Sequence, residues 1–433
     1  MPVSGIIYEW QNIRKTTLLH EKPMKTDRRT FLAGTALGIL GGTMPGQAKA
    51  EDPRKQLPDW EEGFLDIHHI STGRGNAAYI ICPDGTTMMI DVGDLGEERP
   101  SETMMPHVPD ESRSPAEWIV EYIRRFSKPL GQSAPTLDYV FLTHFHSDHI
   151  GCKEPGTPEA HGFALSGISM LAEHVTIGKI VDRGFPDYDY PSREAAKRSN
   201  GRFFDDYLKF VDFQRTERKT VFEGFDVGSR SQFVLRRKPE TYKSFRIQNL
   251  YVNGEIWTGR GMEKETLIPK SAKPDENTCS GALEISYGDF RYFSGGDIPG
   301  FGKRDVETAL TNVVGKTDVL NLNHHGYKDS INAAFLAALK PRVMVVPVWD
   351  RHHPHVETLT RMTDTNIYPD RRSIWPTGMF PALKTNLGDG VSAFKPDGHV
   401  VVRVDRDGKN FTVFVLNARS TLFDIIHSEI FTL

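Results

Sequence analysis

Within FLTHFHSDHIG (141–151), four side chains able to bind a metal or move a proton, His144, His146, Asp148 and His149, fall inside six positions. Imidazole nitrogen and carboxylate oxygen are ligands for divalent cations. His144 and His146, at alternating positions, can reach one ion, and Asp148 with His149, just beyond, can reach a neighbouring second ion. Further candidates close three other apolar runs: Asp91 in MIDVGD, Asp297 in FSGGD, and His324 with His325 in LNHHG. Any one of them reads as a turn carboxylate or a surface histidine. Together, and in this order, they read as ligands gathered from strand ends on one sheet edge, with Asp297 able to bridge two ions and a terminal histidine able to complete the second. Cys82, Cys152 and Cys279 are scattered and form no C-x-x-C pair, so neither a disulfide framework nor a thiolate site is expected.

The elements that must position these residues are visible as periodic runs. FLDIHHIST and NAAYIICPDGTTMMIDVGD alternate or run apolar, with Pro-Asp-Gly (83–85) as a hairpin turn. SPAEWIVEYIRRF (114–126) has helical spacing behind a Ser-Pro start, and the polar, Pro-rich 95–115 reads as a surface loop. LDYVFLT is a buried strand that delivers the His cluster. GALEISYGDFRYFSGGD is a hairpin that delivers Asp297, and DVLNLNHHG is a strand that delivers the His pair. SINAAFLAALKPRVMVVPV reads as helix then strand, and the last sixty residues as mostly strands. Between about 160 and 275 the pattern weakens. There ISMLAEHVTIG reads as helix, KIVDRGFPDY as a strand and its exit, and the rest as an insertion covering a site. A layered α/β domain over 51–433 results.

H-x-H-x-D-H with an upstream D-x-G and later Gly-Asp and His motifs resembles the metallo-β-lactamase superfamily. STGRGNAAYIICPDGTTMMIDVG, THFHSDHIG, NTCSGALEISYGDFRYFSGGD, NHHGYKDS and LKPRVMVVPVWDRHHPH resemble, in order, the ComEC-type competence hydrolase domains and related secreted phosphodiesterases. The resemblance spans about 65–160 and 275–400. It implies a four-layer αββα sandwich with the metal site between its halves. It also implies His144 and His146 on one metal, Asp148 and His149 on the other, Asp297 as bridge and His325 closing the second site. His324 would face the substrate as general acid, and Asp148 would help to orient the attacking water. Asp91 would hydrogen-bond the His loop from behind, with Asn277 beside it. Many superfamily members place a third histidine for the first metal in a Gly-His motif; here ENTCSG offers Asn277 and Cys279 instead. Tyr327 stands where the family has serine after His-His-Gly. With His353 and His355 of DRHHPH, it is a candidate for the substrate pocket. The cofactor implied is a pair of divalent ions, zinc foremost, with manganese or iron as alternatives.

The first fifty residues differ in kind. KTDRRTFLAGTALGILGGTMPGQAKA has a charged start, a Gly-rich apolar middle too short to span a bilayer and a small-residue end, which resembles a twin-arginine export signal over 24–50. A start at Met24 would give an ordinary leader. Removing 1–50, which holds seven Lys/Arg and three Asp/Glu, leaves 46 against 54 and a net charge of −8. That disfavours non-specific nucleic-acid binding, and the aromatic and basic stretch 202–246 reads as a packed insertion before it reads as a nucleic-acid groove. GRGNAA (73–78) spells a dinucleotide fingerprint, but strand follows where a helix is required. His68 and His69 read as core histidines and Arg183 as half of a structural ion pair. The expected protein is therefore a periplasmic or secreted dinuclear hydrolase, exported by the twin-arginine machinery without a membrane anchor, acting on a small or polymeric phosphodiester. The alternatives are a lactone, lactam or thioester hydrolase of the same fold, and a non-catalytic metal- or nucleic-acid-binding protein.

Overall fold

Strands that are apolar on both faces must be covered on both, and this requirement sets the layering. The computed structural model describes residues 56–96, 103–132, 134–381, 383–384 and 388–433; the expected leader lies outside them. The first sheet starts with β1 (Leu65–His69), β2 (Ala78–Ile81), β3 (Thr87–Ile90) and β4 (Thr136–Leu142). After a small ladder of β5 (Glu159–Ala160) and β6 (Phe163–Ala164) it gains β7 (Thr176–Asp182) and β8 (Val221–Gly224). The second sheet holds β9 (Phe245–Val252), β10 (Glu255–Trp257), β11 (Lys264–Thr266), β12 (Ala282–Tyr287), β13 (Phe290–Ser294), β14 (Val319–Asn321), β15 (Val343–Val346) and β16 (Ser373–Pro376). Then β17 (His399–Val404), β18 (Asn410–Leu416) and β19 (Ile425–Thr432) return to the first. The orders are β19-β18-β17-β1-β2-β3-β4-β7-β8 and β11-β10-β9-β12-β13-β14-β15-β16. Each sheet joins an antiparallel half to a parallel half, β3-β4-β7-β8 in one and β13-β14-β15-β16 in the other.

Side-chain alternation divides the core. From the first sheet Ile80, Ile90, Tyr139 and Phe141 face the second sheet, while Tyr79, Ile81, Val140 and Leu142 face a helical layer. That layer contains α1 (Pro115–Phe126), the single turn α2 (Ser147–Ile150), α3 (Ile168–His174) and α4 (Arg193–Thr216). Ser114 accepts from the Glu117 amide and Glu117 from the Ser114 amide, a capping box that starts α1. Ile119, Val120, Ile123 and Phe126 then recur on its buried face, each large side chain stabilising by about 1.5–3 kcal/mol. On the far side of the second sheet lie α5 (Glu307–Leu310), α6 (Ala333–Leu339) and α7 (Val356–Thr363), with Phe335 edge-on to Phe293 at 5.4 Å. The architecture is the four-layer αββα sandwich of the metallo-β-lactamase fold. Among the described residues, no helix is long and apolar enough to cross a membrane.

Three expectations change. The stretch 160–275 is not set apart as an insertion: β7 and β8 extend the first sheet, and β9 pairs with β12 inside the second. Its aromatics Phe203, Phe204, Tyr207 and Phe210 form the buried face of α4, whose break at Asn200 and Gly201 blurred the helical period. ISMLAEHVTIG is helix only to His174, because the β-branched Val175-Thr176-Ile177 turns the chain into β7. The described part of the loop 95–115 is not all surface, since Met104, Met105 and Val108 are buried and the Met105 amide donates to the Trp349 carbonyl (2.8 Å).

Candidate metal centre

Strand alternation aims the His cluster. Past β4 the chain stays extended, so His144 and His146 face one way and Phe145 the other, into Phe204 and Tyr207 (5.2 and 5.5 Å between ring centres). Arg183 lies over the Phe145 ring and forks onto Glu276 (2.6 Å), while Glu276 also accepts from the Phe145 amide (2.8 Å). The expected structural ion pair of Arg183 thus exists, with Glu276 as the carboxylate. The G-x-G of the rejected fingerprint has a packing role: a Cβ on Gly75 would come 2.3 Å from the Asp148 carbonyl oxygen, which accepts from the Asn76 amide at 2.8 Å. After β13, Gly296 (φ +54) lets Asp297 approach Thr143 and Ser280, where a Cβ would meet side chains at 2.8 and 3.1 Å. After β14, His324 and His325 both adopt left-handed φ (46° and 54°), a conformation costing about 1–3 kcal/mol each that turns both rings toward the site.

Two groups of ligand atoms result, one of His144, the half-buried His146 and Asp297, the other of the buried Asp148, His149, Asp297 and His325. In each, the atoms lie within 4.8 Å of one another. Asp297 serves both: Oδ2 is 3.7 Å from His144 Nε2, and Oδ1 is 3.2 Å from His149 Nε2 and 3.5 Å from His325 Nε2. Asp148 Oδ2 is 3.1 Å from His325 Nε2 and 3.7 Å from His149 Nε2.

The surroundings dictate which nitrogens are bare. Asp91 accepts from His149 Nδ1 at 2.7 Å, and the Pro347 carbonyl accepts from His325 Nδ1 at 3.0 Å, so both hydrogens sit on Nδ1. Thr143 spends its hydroxyl hydrogen on Asp91 (2.9 Å) and can therefore only accept from His144 Nδ1 (3.1 Å). In their neutral forms all three imidazoles thus turn a lone pair on Nε2 inward. His149 Nε2 and His325 Nε2 face each other at 3.3 Å, and His144 Nε2 lies 3.0 Å from His146 Nδ1. Lone pairs and carboxylate oxygens crowded this closely repel unless a positive charge lies between them, and the donor set fits a dinuclear metal site.

Electrostatics follow the same crowding. Burial disfavours a charged His149, yet Asp297, Asp91 and Asp148 outweigh it and hold this imidazole well above its ordinary range. His144, buried beside His149, is held well below it. Burial would also raise Asp148 and Asp297, but His149 and His325 hold both far below the ordinary carboxylate range. His324, despite burial, is pushed up to about 9 by Asp297 and by its hydrogen bond to Asp329.

Asp91 sits behind the ligands at φ 58°, accepting from the Thr143 amide (2.8 Å) and Asn76 (2.9 Å) as well as from His149. His324 lies outside both groups, with Nε2 3.8 Å from Asp297 and 3.3 Å from Asn277 Nδ2. Asn277 contributes to neither group, and Cys279 is turned away onto the Asp275 carbonyl. His353 stacks on His325 (4.7 Å, 12°) and is kept neutral by burial and that neighbour. Tyr327 packs against His324 at 5.3 Å. His355 instead caps α7 and borders the site through its ring contact with Tyr327. Residues that sequence reasoning missed are Thr143, Asp329 (2.6 Å from His324 Nδ1) and Trp349, whose indole N–H points at His325 Nε2 (3.3 Å). Asp329 lay within NHHGYKDS, five positions after His324, and was legible as a partner. Thr143 and Trp349 carried no local signal.

Residues 71–152 match the Metallo-beta-lactamase superfamily. That stretch of the superfamily domain runs from the loop after β1 through the His cluster. ComE operon protein 3 of Bacillus subtilis (strain 168) is 27% identical over 210 residues, which are 48% of this chain and 25% of that protein, so the chain spans about a quarter of that relative's length. Among solved structures, CmlA, a diiron beta-hydroxylase from Streptomyces venezuelae, aligns at 12% identity and TM-score 0.36, covering 80% of this chain and 55% of its own. Human tRNase Z, short form, aligns at 10% and 0.30, covering 64% and 91%.

Proposed function

We propose that this chain is an exported, metal-dependent phosphodiesterase. The observation that carries the reading is Asp297, which offers one oxygen to each of two adjoining ligand groups. A pair of divalent cations, zinc foremost and manganese or iron otherwise, would be held by His144, His146 and Asp297 and by Asp148, His149, Asp297 and His325, and when bound supplies an activated water and neutralises charge at the attacked centre. Asp148 and Asp297 orient the attacking water through their free lone pairs. His324, with Nδ1 tied to Asp329, keeps Nε2 toward the site and donates a proton to the departing oxygen. Trp349, Tyr327 and His353 wall that space and limit bulk water. Paired cations suit in-line displacement at phosphorus, which favours a phosphodiester over a lactone, lactam or thioester. Export to the periplasm or beyond through the twin-arginine machinery rests on residues 24–50.

The test combines elemental analysis with bis-p-nitrophenyl phosphate turnover before and after chelation, for wild type and Asp297→Asn. Two metals per chain, with turnover lost on chelation and in the variant, is the expected result. Hydrolysis of carboxylic esters alone would move the chain to the lactone and thioester class. Metal binding without any turnover would make it a binding protein.

A further inference from the structure

A cavity of about 400 Å³ takes His146 and Asn277 into its wall and so opens onto the first ligand group. Four charged side chains, Asp275, Glu276, Arg198 and Lys273, share that wall. Its carboxylates are occupied. Glu276 is closed on Arg183 and the Phe145 amide, and Asp275 accepts from the Thr278 amide (3.1 Å) and pairs with Arg304. Its cations are not: Arg198, from the first half of α4, and Lys273 are both exposed, and among the described residues neither has a carboxylate partner. Arg198 also lines the neighbouring cavity along α4, where Lys153, Lys197 and Lys209 are each closed on Asp205, Asp206 or Glu159, while Arg202, like Arg198, has no carboxylate partner among the described residues.

An acidic protein that leaves two cations uncompensated at the mouth of a hydrolytic centre has a place for an anion there. We propose that Arg198 and Lys273 form a subsite for a second phosphate of the substrate, next to the one that is cleaved. The preferred substrate then carries phosphates in series, and an isolated phosphodiester is a poor one. This inference rests on the phosphodiesterase reading above. Because both cations are exposed, their attraction is screened by salt, and the preference weakens as ionic strength rises.

The experiment compares glycerol 1-phosphate with glycerol 1,3-bisphosphate, which contain no diester to cleave. Each is measured as a competitor of bis-p-nitrophenyl phosphate turnover and, independently, by calorimetry at low salt. Wild type should bind the bisphosphate about tenfold more tightly than the monophosphate, an advantage reduced to about twofold in the Arg198→Ala/Lys273→Ala double variant and retained in Arg198→Lys. Both side chains are exposed, so thermal melts should show the variants folded. Equal binding of the two ligands by wild type, or an advantage that survives the double substitution, overturns the subsite. If calorimetry shows the advantage and its loss while no diester is turned over, the subsite stands and the phosphodiesterase reading falls.

Discussion

Asp91→Asn isolates the role of the carboxylate behind the ligands. Asparagine tolerates the left-handed backbone at φ 58° as aspartate does, so the main chain should not move. The side chain, however, now carries an NH₂ where four donors converge: the Thr143 amide and hydroxyl, Asn76 Nδ2 and His149 Nδ1. In one flip the NH₂ meets the Thr143 amide; in the other it meets Asn76 and His149. Either way at least one buried donor loses its acceptor, which costs about 1–3 kcal/mol of stability. The second consequence concerns His149. With a neutral amide oxygen in one flip, and an N–H in the other, in place of the anionic acceptor on Nδ1, the lone pair on Nε2 is held less firmly, and weakening such an orienting partner lowers metal affinity about 10–100-fold. Competition with a chromophoric chelator at fixed pH measures affinity, and urea unfolding of the chelated protein measures the stability cost separately. The expected result is a selective loss at the group of Asp148, His149, Asp297 and His325, with a smaller change at the other. If Asp91→Asn binds both ions with wild-type affinity, the tautomer argument for His149 is wrong and Asp91 serves the fold alone.

Two further outcomes follow from the same geometry. His324→Gln should lower turnover about 10²–10⁴-fold while elemental analysis still finds the wild-type metal content, because His324 belongs to neither ligand group; metal loss would make it a ligand. Glu307, fully buried, accepts from Asn323 Nδ2 (2.8 Å) and the Ile331 and Asn332 amides (both 2.7 Å), and so braces the segment that carries the His pair. Burial pushes its carboxyl up to about 7. The unfolded chain releases that proton near 4.5 and the native state only near 7, so this contribution to stability is full below pH 4.5 and is lost by pH 7.5. The stability difference between wild type and Glu307→Gln, measured by urea unfolding, should accordingly shrink by about 3 kcal/mol across that window, and a constant difference would refute the assignment.

Much of this protein is a matter of short-range pattern. Strand alternation puts His144 and His146 on one side of the chain and Phe145 on the other, and Asp91, Asp297 and the His324-His325 pair each follow an apolar run that can only be a strand. The hairpins at 83–85 and 287–289, the helix 115–126 and the sheet-rich C-terminus are local in the same sense, because periodicity and turn chemistry act within a few residues. Tertiary structure alone decided what depends on distant partners. The segment 160–275 reads as irregular because α4 is interrupted and β9 is buried on both faces, yet hydrogen-bonding to β4 and β12 makes it part of both sheets. Which nitrogen of each histidine is bare was set by Thr143, Asp91 and Pro347, and which cations stand free at the mouth by where Arg183, Arg304 and the lysines of α4 found their carboxylates. Residue types are written in the chain, but the balance of charge around them exists only once segments far apart in sequence have met.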